Sequence, residues 1–165
     1  MIVSVFNKGF DRQGFECGVE ELDHYLKRIV SQDIRRNSAV CFILHDEGSR
    51  EILGYYTLSA FSVQFDGLPE IERKALPKYP QIPATMLGRL AIASSMQGRG
   101  IGERLLVDAL KRAWKNREVI ASWTVIVDAI NDSAADFYQR YGFTALGNDR
   151  SRLYLPMKEI GKLIK

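Results

Sequence analysis

The sequence is poor in the residues that build metal centres and covalent frameworks. Among 165 residues there are two cysteines, Cys17 and Cys41, and two histidines, His24 and His45. The cysteines show neither metal-ligand spacing nor the pattern of a disulfide framework, and read as free thiols of a reducing compartment. Two histidines without paired cysteines argue against zinc, and no metal is expected. His24 is expected on the polar side of an early helix and His45 in a hairpin turn, neither of them a base or a ligand. No apolar run approaches the roughly 20 residues of a membrane span. The opening MIVSVFNKGFDRQ lacks the basic-then-apolar order of a signal peptide. The expectation is a cytoplasmic protein with no membrane partner. Repeats, low-complexity tracts and Gly/Ser linkers are also missing, so residues 1–165 are expected to form one domain with a full core. An excess of one sign of charge is also lacking: 23 basic residues stand against 20 acidic ones, a net value of +3. The basic stretches LKRIVSQDIRR (26–36) and LKRAWKNR (110–117) read, on charge alone, as the wet faces of amphipathic helices. Four of the five prolines fall at 69, 77, 80 and 83. Residues 66–83 therefore read as loop, with at most a short helix over 69–76.

What is present is a clear alternation of patterns. GVEELDHYLKRIVSQDIRRN (18–37) puts Val19, Leu22, Leu26, Ile29 and Val30 on one helical face. AVCFILH (39–45) and EILGYYTLSAFSVQF (51–65) read as an antiparallel hairpin across the turn DEGSR. ATMLGRLAIAS (84–94) reads as a buried strand. IGERLLVDALKRAW then carries Ile101, Leu105, Leu106, Ala109, Leu110, Ala113 and Trp114 on one side, an amphipathic helix. SWTVIVDAI (122–130) is a second central strand. NDSAADFYQRYG (131–142) is a short helix with an N-cap residue at its start and glycine at its end. FTALG and SRLYLPM close the chain as strands, followed by a short basic tail. The β-α-β piece calls for a right-handed parallel crossover, and the early hairpin makes the sheet mixed.

Between strand and helix lies QGRGIGERLL (97–106). Glycines at a helix start allow an anion to approach free backbone N–H groups at the positive end of the helix dipole. Two familiar loops fail. A Walker loop ends in Gly-Lys-Ser/Thr, whereas this one has Gly102-Glu103-Arg104. A dinucleotide fingerprint would want glycine at 103 as well as at 98 and 100.

The combination of LGRLAIASSMQGRGIGERLLVDAL, the strand SWTVIVDAIN and the helix SAADFYQRYGF resembles the acetyl-coenzyme-A core of the GNAT N-acetyltransferases. The matching positions are Gln97, Gly100 and Gly102, then Asn131, the pair Phe137-Tyr138, and Gly142-Phe143. FECGVEELDHYL…QDIRRN, GYYTLSA, LPKYPQIPATMLGRLAI and the terminal RLYLPM extend the likeness to one branch, the GNAT toxins of bacterial toxin–antitoxin pairs. The resemblance implies an α/β (α+β) fold of the GNAT type. Its sheet would be mixed and mostly antiparallel, splayed at a central parallel pair and flanked by helices. It implies an acetyl-CoA-dependent N-acetyltransferase that acetylates the α-amine of aminoacyl-tRNA and blocks translation. Another amine, on a protein or a small molecule, is the alternative. Partners implied are a ribbon-helix-helix antitoxin, operator DNA only through the antitoxin complex, and a second copy in a homodimer.

By the same resemblance, the amides of Gly98, Arg99, Gly100, Ile101 and Gly102 hold the coenzyme pyrophosphate, with Gln97 beside them and Arg99 adding charge. The backbone of Leu90, Ala91 and Ile92 lines the pantetheine arm as an added strand would. Asn131 serves as N-cap and polar contact. Tyr138 is the general acid: a phenol with a reference pKa of about 10 is protonated near neutrality and can donate to a thiolate of about 8.5. Arg35, Arg36 and Arg89 are the candidates for tRNA phosphates. Arg89 stands out, because an arginine inside an apolar strand needs a partner or a cleft. Cys17, at the start of the expected first helix, is read as structural, and no covalent intermediate is required.

Overall fold

The computed structural model describes residues 1–164. Seven strands form one sheet in the order β1-β2-β3-β4-β5-β7-β6. They are β1 (Ile2–Val5), β2 (Val40–His45), β3 (Gly54–Gln64), β4 (Gln81–Ile92), β5 (Thr124–Asp128), β6 (Thr144–Ala145) and β7 (Arg152–Pro156). The β4–β5 pair is parallel, and the pairs β1–β2, β2–β3, β5–β7 and β6–β7 are antiparallel. The mixed, mostly antiparallel sheet expected from the sequence is thus present. By compactness the chain divides into two units, Met1–Ser59 with Gly88–Ala109, and Ala60–Leu87 with Leu110 onward. The division falls inside β3–β4 and inside the long helix after the glycine turn.

In the first unit, the helical region after residue 19 is less regular than its periodicity suggests. A short α1 (Glu20–His24) passes into a π-helical turn (Tyr25–Ile29) and then α2 (Val30–Arg35). Leu22, Leu26 and Val30 are buried as their spacing requires, and Val19 and Ile29 pack at the edge of the same cluster. They meet Phe10, Phe15, Cys41, Ile43, Tyr55 and Ala91. Asn37, at φ +58°, ends the region in the left-handed conformation that asparagine tolerates. His45 is not in a turn. It is the last residue of β2, buried, with Nε2 2.8 Å from the Ser4 hydroxyl and Nδ1 2.8 Å from the Asp46 carbonyl. That partner is supplied by β1, whose four residues give no usable alternation in the sequence.

In the second unit, the proline-rich stretch carries α3 (Glu70–Arg73), inside the expected 69–76, but β4 starts at Gln81, earlier than the prolines suggest. Pro83 has no amide to give to the sheet, and its carbonyl accepts from Trp123 N–H at 2.8 Å. The basic tail is in fact helical, α6 (Met157–Leu163), despite a glycine in mid-helix. Gly161 has a packing reason, since a Cβ there would sit 2.5 Å from Cη2 of Trp114. Trp114 also carries Arg117 over its ring, the guanidinium carbon 3.4 Å from the ring centroid. The helix α4 (Ile101–Asn116), within which the division falls, buries Ile101, Leu105, Leu106, Ala109, Leu110 and Ala113 as its pattern predicts, with Trp114 partly buried.

Candidate active site

The glycine turn of the first unit is built by conformation. Gly98 and Gly100 adopt φ values of +79° and +73°, in the left-handed region costly to other residues. No atom lies within 4 Å of where a Cβ would stand on either, so the backbone is open to an approaching group. Helix α4 starts at once, and its first bond runs from Arg104 N–H to Gly100 O at 3.3 Å. Among the described residues the amides of 98–103 donate to nothing in the chain. A row of unused donors at the positive end of a 16-residue helix fits a pyrophosphate without a metal. Gly102 lacks the left-handed φ and belongs to the first helical turn. Ile101 buries its side chain while its amide stays in the row. Arg99 is exposed, its guanidinium 3.9 Å from Met96 Sδ.

Gln97 has a role that its place in the motif does not announce. Its amide nitrogen donates to the Cys17 carbonyl at 2.7 Å and to the Ile92 carbonyl at 3.0 Å. It therefore ties the turn to the end of β4 and to the segment before α1. Ser94 N–H reinforces the tie by donating to Glu16 O at 2.7 Å. Cys17 is inert in this setting. Its thiol reaches the Val19 carbonyl at 3.5 Å, and burial, then the Asp23 carboxylate, push its pKa up to about 11.

Leu90, Ala91 and Ile92 close β4. The parallel ladder of β4 covers Ala84–Leu87. Beyond it, residues 88–92 carry no parallel ladder among the described residues, the kind of edge that strand addition uses. Ala91 is buried in the core while Leu90 and Ile92 are partly open. Arg89 is half-buried, and its guanidinium carbon lies 3.6 Å from the centroid of Tyr25. Arg35 and Arg36, at the end of α2, are exposed and form no ion pair among the described residues.

In the second unit, Asn131 caps α5 (Asp132–Arg140), its Oδ1 accepting from Ala134 N–H at 2.8 Å. Arg150 clamps the same helix through Asp136, Asp132 and Gln139. Gly142, at φ +97°, ends the turn after it, and Phe143 N–H returns to the Tyr138 carbonyl at 3.2 Å. Tyr138 is thereby fixed between two rings, with centroids 5.3 Å from Phe137 and 5.4 Å from Phe143. It is 7% exposed. Its hydroxyl makes no hydrogen bond among the described residues, yet no fully buried side-chain polar atom there lacks a partner. The oxygen therefore reaches the surface while the ring stays in the core. Burial pushes the phenol above the usual tyrosine range, so it is a neutral donor at physiological pH.

The GNAT acetyltransferase domain model matches residues 75–159, half of the chain. A tRNA-acetylating toxin of Mycobacterium tuberculosis is 31% identical over 154 residues, 93% of this chain and 90% of that one. The chain belongs to the GNAT acetyltransferases. Solved members carry the likeness over the whole length. A tyrosine-to-phenylalanine mutant of KacT matches with a TM-score of 0.93 and 30% identity, covering 98% of each chain. AtaT complexed with acetyl-methionyl-tRNAfMet matches with a TM-score of 0.90 and 31% identity, covering 99% of each. AtaT is also solved as a tyrosine-to-phenylalanine mutant with acetyl-CoA and the C-terminus of its antitoxin AtaR, at a TM-score of 0.83 and 28% identity over 99% of this chain and 98% of that one. As a GNAT acetyltransferase, this protein has a seven-stranded mixed sheet that matches the fold of KacT and AtaT.

The sequence missed the strap made by Gln97 and the tyrosine beneath Arg89. For the second there was a signal: an arginine in an apolar strand needs a face to lie on. Nothing in the sequence said that Tyr25 supplies it.

Proposed function

We propose that this acetyltransferase moves the acetyl group of acetyl-CoA to the α-amine of the amino acid on charged tRNA, and so stops translation. The observation that carries the reading is the end-to-end likeness to AtaT, at 31% identity, a protein solved with an acetylated aminoacyl-tRNA. The coenzyme supplies an activated acetyl thioester. The free amides of Gly98 to Gly102 and the dipole of α4 hold its pyrophosphate, with Arg99 adding screened charge. Gln97 keeps that turn in shape. The unpaired edge of Leu90, Ala91 and Ile92 receives the pantetheine arm, and a donor there polarises the carbonyl under attack. Asn131 caps α5 and so sets the helix that bears Tyr138.

Tyr138 is the general acid. Its upward-shifted phenol stays protonated and donates to the leaving thiolate. The tyrosine-to-phenylalanine mutants chosen for KacT and AtaT support a tyrosine hydroxyl as the group that matters. No strong base is needed at the other end. A free α-amine titrates near 7.7–8.0, and the neighbouring ester lowers it, so a substantial fraction is neutral near physiological pH. Arg35, Arg36 and Arg89 meet the acceptor-end phosphates.

The reading takes residues 1–165 as one acetyltransferase domain working in the cytoplasm, where charged tRNA is found. It includes a homodimer and a ribbon-helix-helix antitoxin, with operator DNA bound only through that complex. AtaT is solved with AtaR and DNA, and KacT with KacA and DNA, which supports the partner class. The test is cell-free translation. The protein arrests it only when acetyl-CoA is present, and fresh charged tRNA restores it after the enzyme is removed. Arrest without acetyl-CoA contradicts the reading.

A further inference from the structure

Arg89 is charged, half-buried and without a carboxylate. Among the described residues none of its N–H groups finds an acceptor, and its guanidinium carbon lies over the ring of Tyr25 at 3.6 Å. A guanidinium withdrawn from water is normally paired. One left with its donor fork open, over an aromatic face, is suited to a planar two-point grip on phosphate.

The ring under it is held firmly. Tyr25 is 2% exposed. Its hydroxyl donates to Asp33 Oδ2 at 2.8 Å. Its ring lies nearly parallel to that of Tyr55, at 14° and 6.4 Å between centroids. Tyr55 in turn donates to the Leu22 carbonyl at 2.7 Å. Tyr25 opens the π-helical turn and Asp33 lies in α2 beyond it, so the bond spans the irregular part of the helix. Ser38 fixes the far end, its amide donating to the Asp33 carbonyl at 2.9 Å. Such helical irregularities cluster at functional sites.

We propose that Tyr25, braced by Asp33 and Tyr55, is a positioning residue that presents the Arg89 guanidinium to the 3′-terminal phosphodiester of the aminoacyl-tRNA acceptor end. The inference rests on the function proposed above and deepens it. The coenzyme's own phosphates are the wrong partner. From Arg89 to Ile92 the strand runs ~10 Å, and the turn through Gln97 still separates its end from the free amides. Recognition of a phosphodiester next to the charged ribose confines the enzyme to amino acids carried on a polynucleotide.

The test compares two acceptors bearing the same amino acid: the aminoacyl-CCA trinucleotide, which has the phosphodiester, and 3′-aminoacyl-adenosine, which lacks it. The wild type should favour the trinucleotide in kcat/KM by about tenfold or more, the effect of one good charged contact. Arg89→Gln should bring that ratio close to one, chiefly through KM for the trinucleotide. Arg89→Lys, which keeps the charge but not the flat fork, should fall between. Tyr25→Phe keeps the ring and its stacking but loses the Asp33 bond, and should cut the ratio by about threefold. A merely structural role would lower kcat/KM for both acceptors equally and leave the ratio intact, which overturns the proposal. A wild-type ratio of one also overturns it, while acetylation itself leaves the proposed function standing. Acetylation of neither acceptor nor of any charged tRNA overturns both together.

Discussion

Tyr138→Phe removes one oxygen from a ring that the core already holds. The hydroxyl has no hydrogen-bond partner among the described residues, and the ring is 7% exposed between Phe137 and Phe143. Its loss therefore orphans no donor or acceptor. The usual ~0.5–1.5 kcal/mol of an intramolecular hydrogen bond is not at stake. Stability should stay within ~0.5 kcal/mol, or about 1–2 °C in Tm for a chain of this size. Activity should behave otherwise. A general acid is worth roughly 10²–10⁴ in rate, so kcat should fall at least ~100-fold, which is ~2.7 kcal/mol of transition-state stabilisation. Michaelis constants for acetyl-CoA should move by no more than about threefold, because no binding contact is assigned to that oxygen. Thermal melting and acetyl transfer from labelled acetyl-CoA measure the two quantities on one preparation. A Tm loss above about 5 °C with kcat within tenfold of wild type would refute the reasoning, since it would make the hydroxyl a packing element.

Gly98→Ala and Gly100→Ala should each cost ~1–2 kcal/mol in a turn with φ of +79° and +73° and no steric obstacle. The readout is a raised KM for acetyl-CoA with a modest drop in Tm. Gly161→Ala forces a methyl to 2.5 Å from Trp114 and should destabilise by ~1–3 kcal/mol in urea unfolding, with kcat unchanged in the folded fraction. Alkaline pH should weaken the fold. Burial raises Cys17 to about 11 and Cys41 to about 12, and raises Tyr25, Tyr55 and Tyr138 above the tyrosine range. The native state thus holds protons that the unfolded chain releases from about pH 8.5 for thiols and about 10 for phenols. Stability contributed by these groups is complete below those values and is lost as pH rises through the folded ones. Urea midpoints should be flat from pH 7 to about 8 and fall steeply above about 10. A midpoint rising over that range would contradict the assignment.

The parts legible in the sequence were those with strong local causes. Residues 101–116 and 131–142 carry full helical periodicity with a clear start, so α4 and the Asn131 cap came out as read. The hairpin of β2 and β3 followed from apolar runs across a turn rich in Gly and Ser. What escaped depends on distant partners. The four residues of β1 become a strand only by pairing with β2, and His45 is buried because Ser4 arrives on that strand. The helix α6 holds a glycine that looks unfavourable until Trp114 is seen against it. The break at Tyr25–Ile29 serves an apolar face that an uninterrupted helix would also have supplied, so periodicity cannot report it. At the site, the glycines of the turn and the caps of α5 were readable because backbone conformation dictates them. The strap from Gln97 and the ring beneath Arg89 join residues 80 and 64 positions apart, and only the fold brings them together.

The central claim is tested most directly by incubating the purified protein with labelled acetyl-CoA and a pool of fully charged tRNA, then hydrolysing the ester and identifying the labelled amino acids. The account predicts Nα-acetyl amino acids released from one or a few tRNAs, with none formed when the tRNA is uncharged and an initial rate at least ~100-fold lower when Tyr138 is replaced by Phe. Label absent from the aminoacyl ends, but transferred to protein or small-molecule amines, would contradict it while leaving the acetyltransferase itself intact.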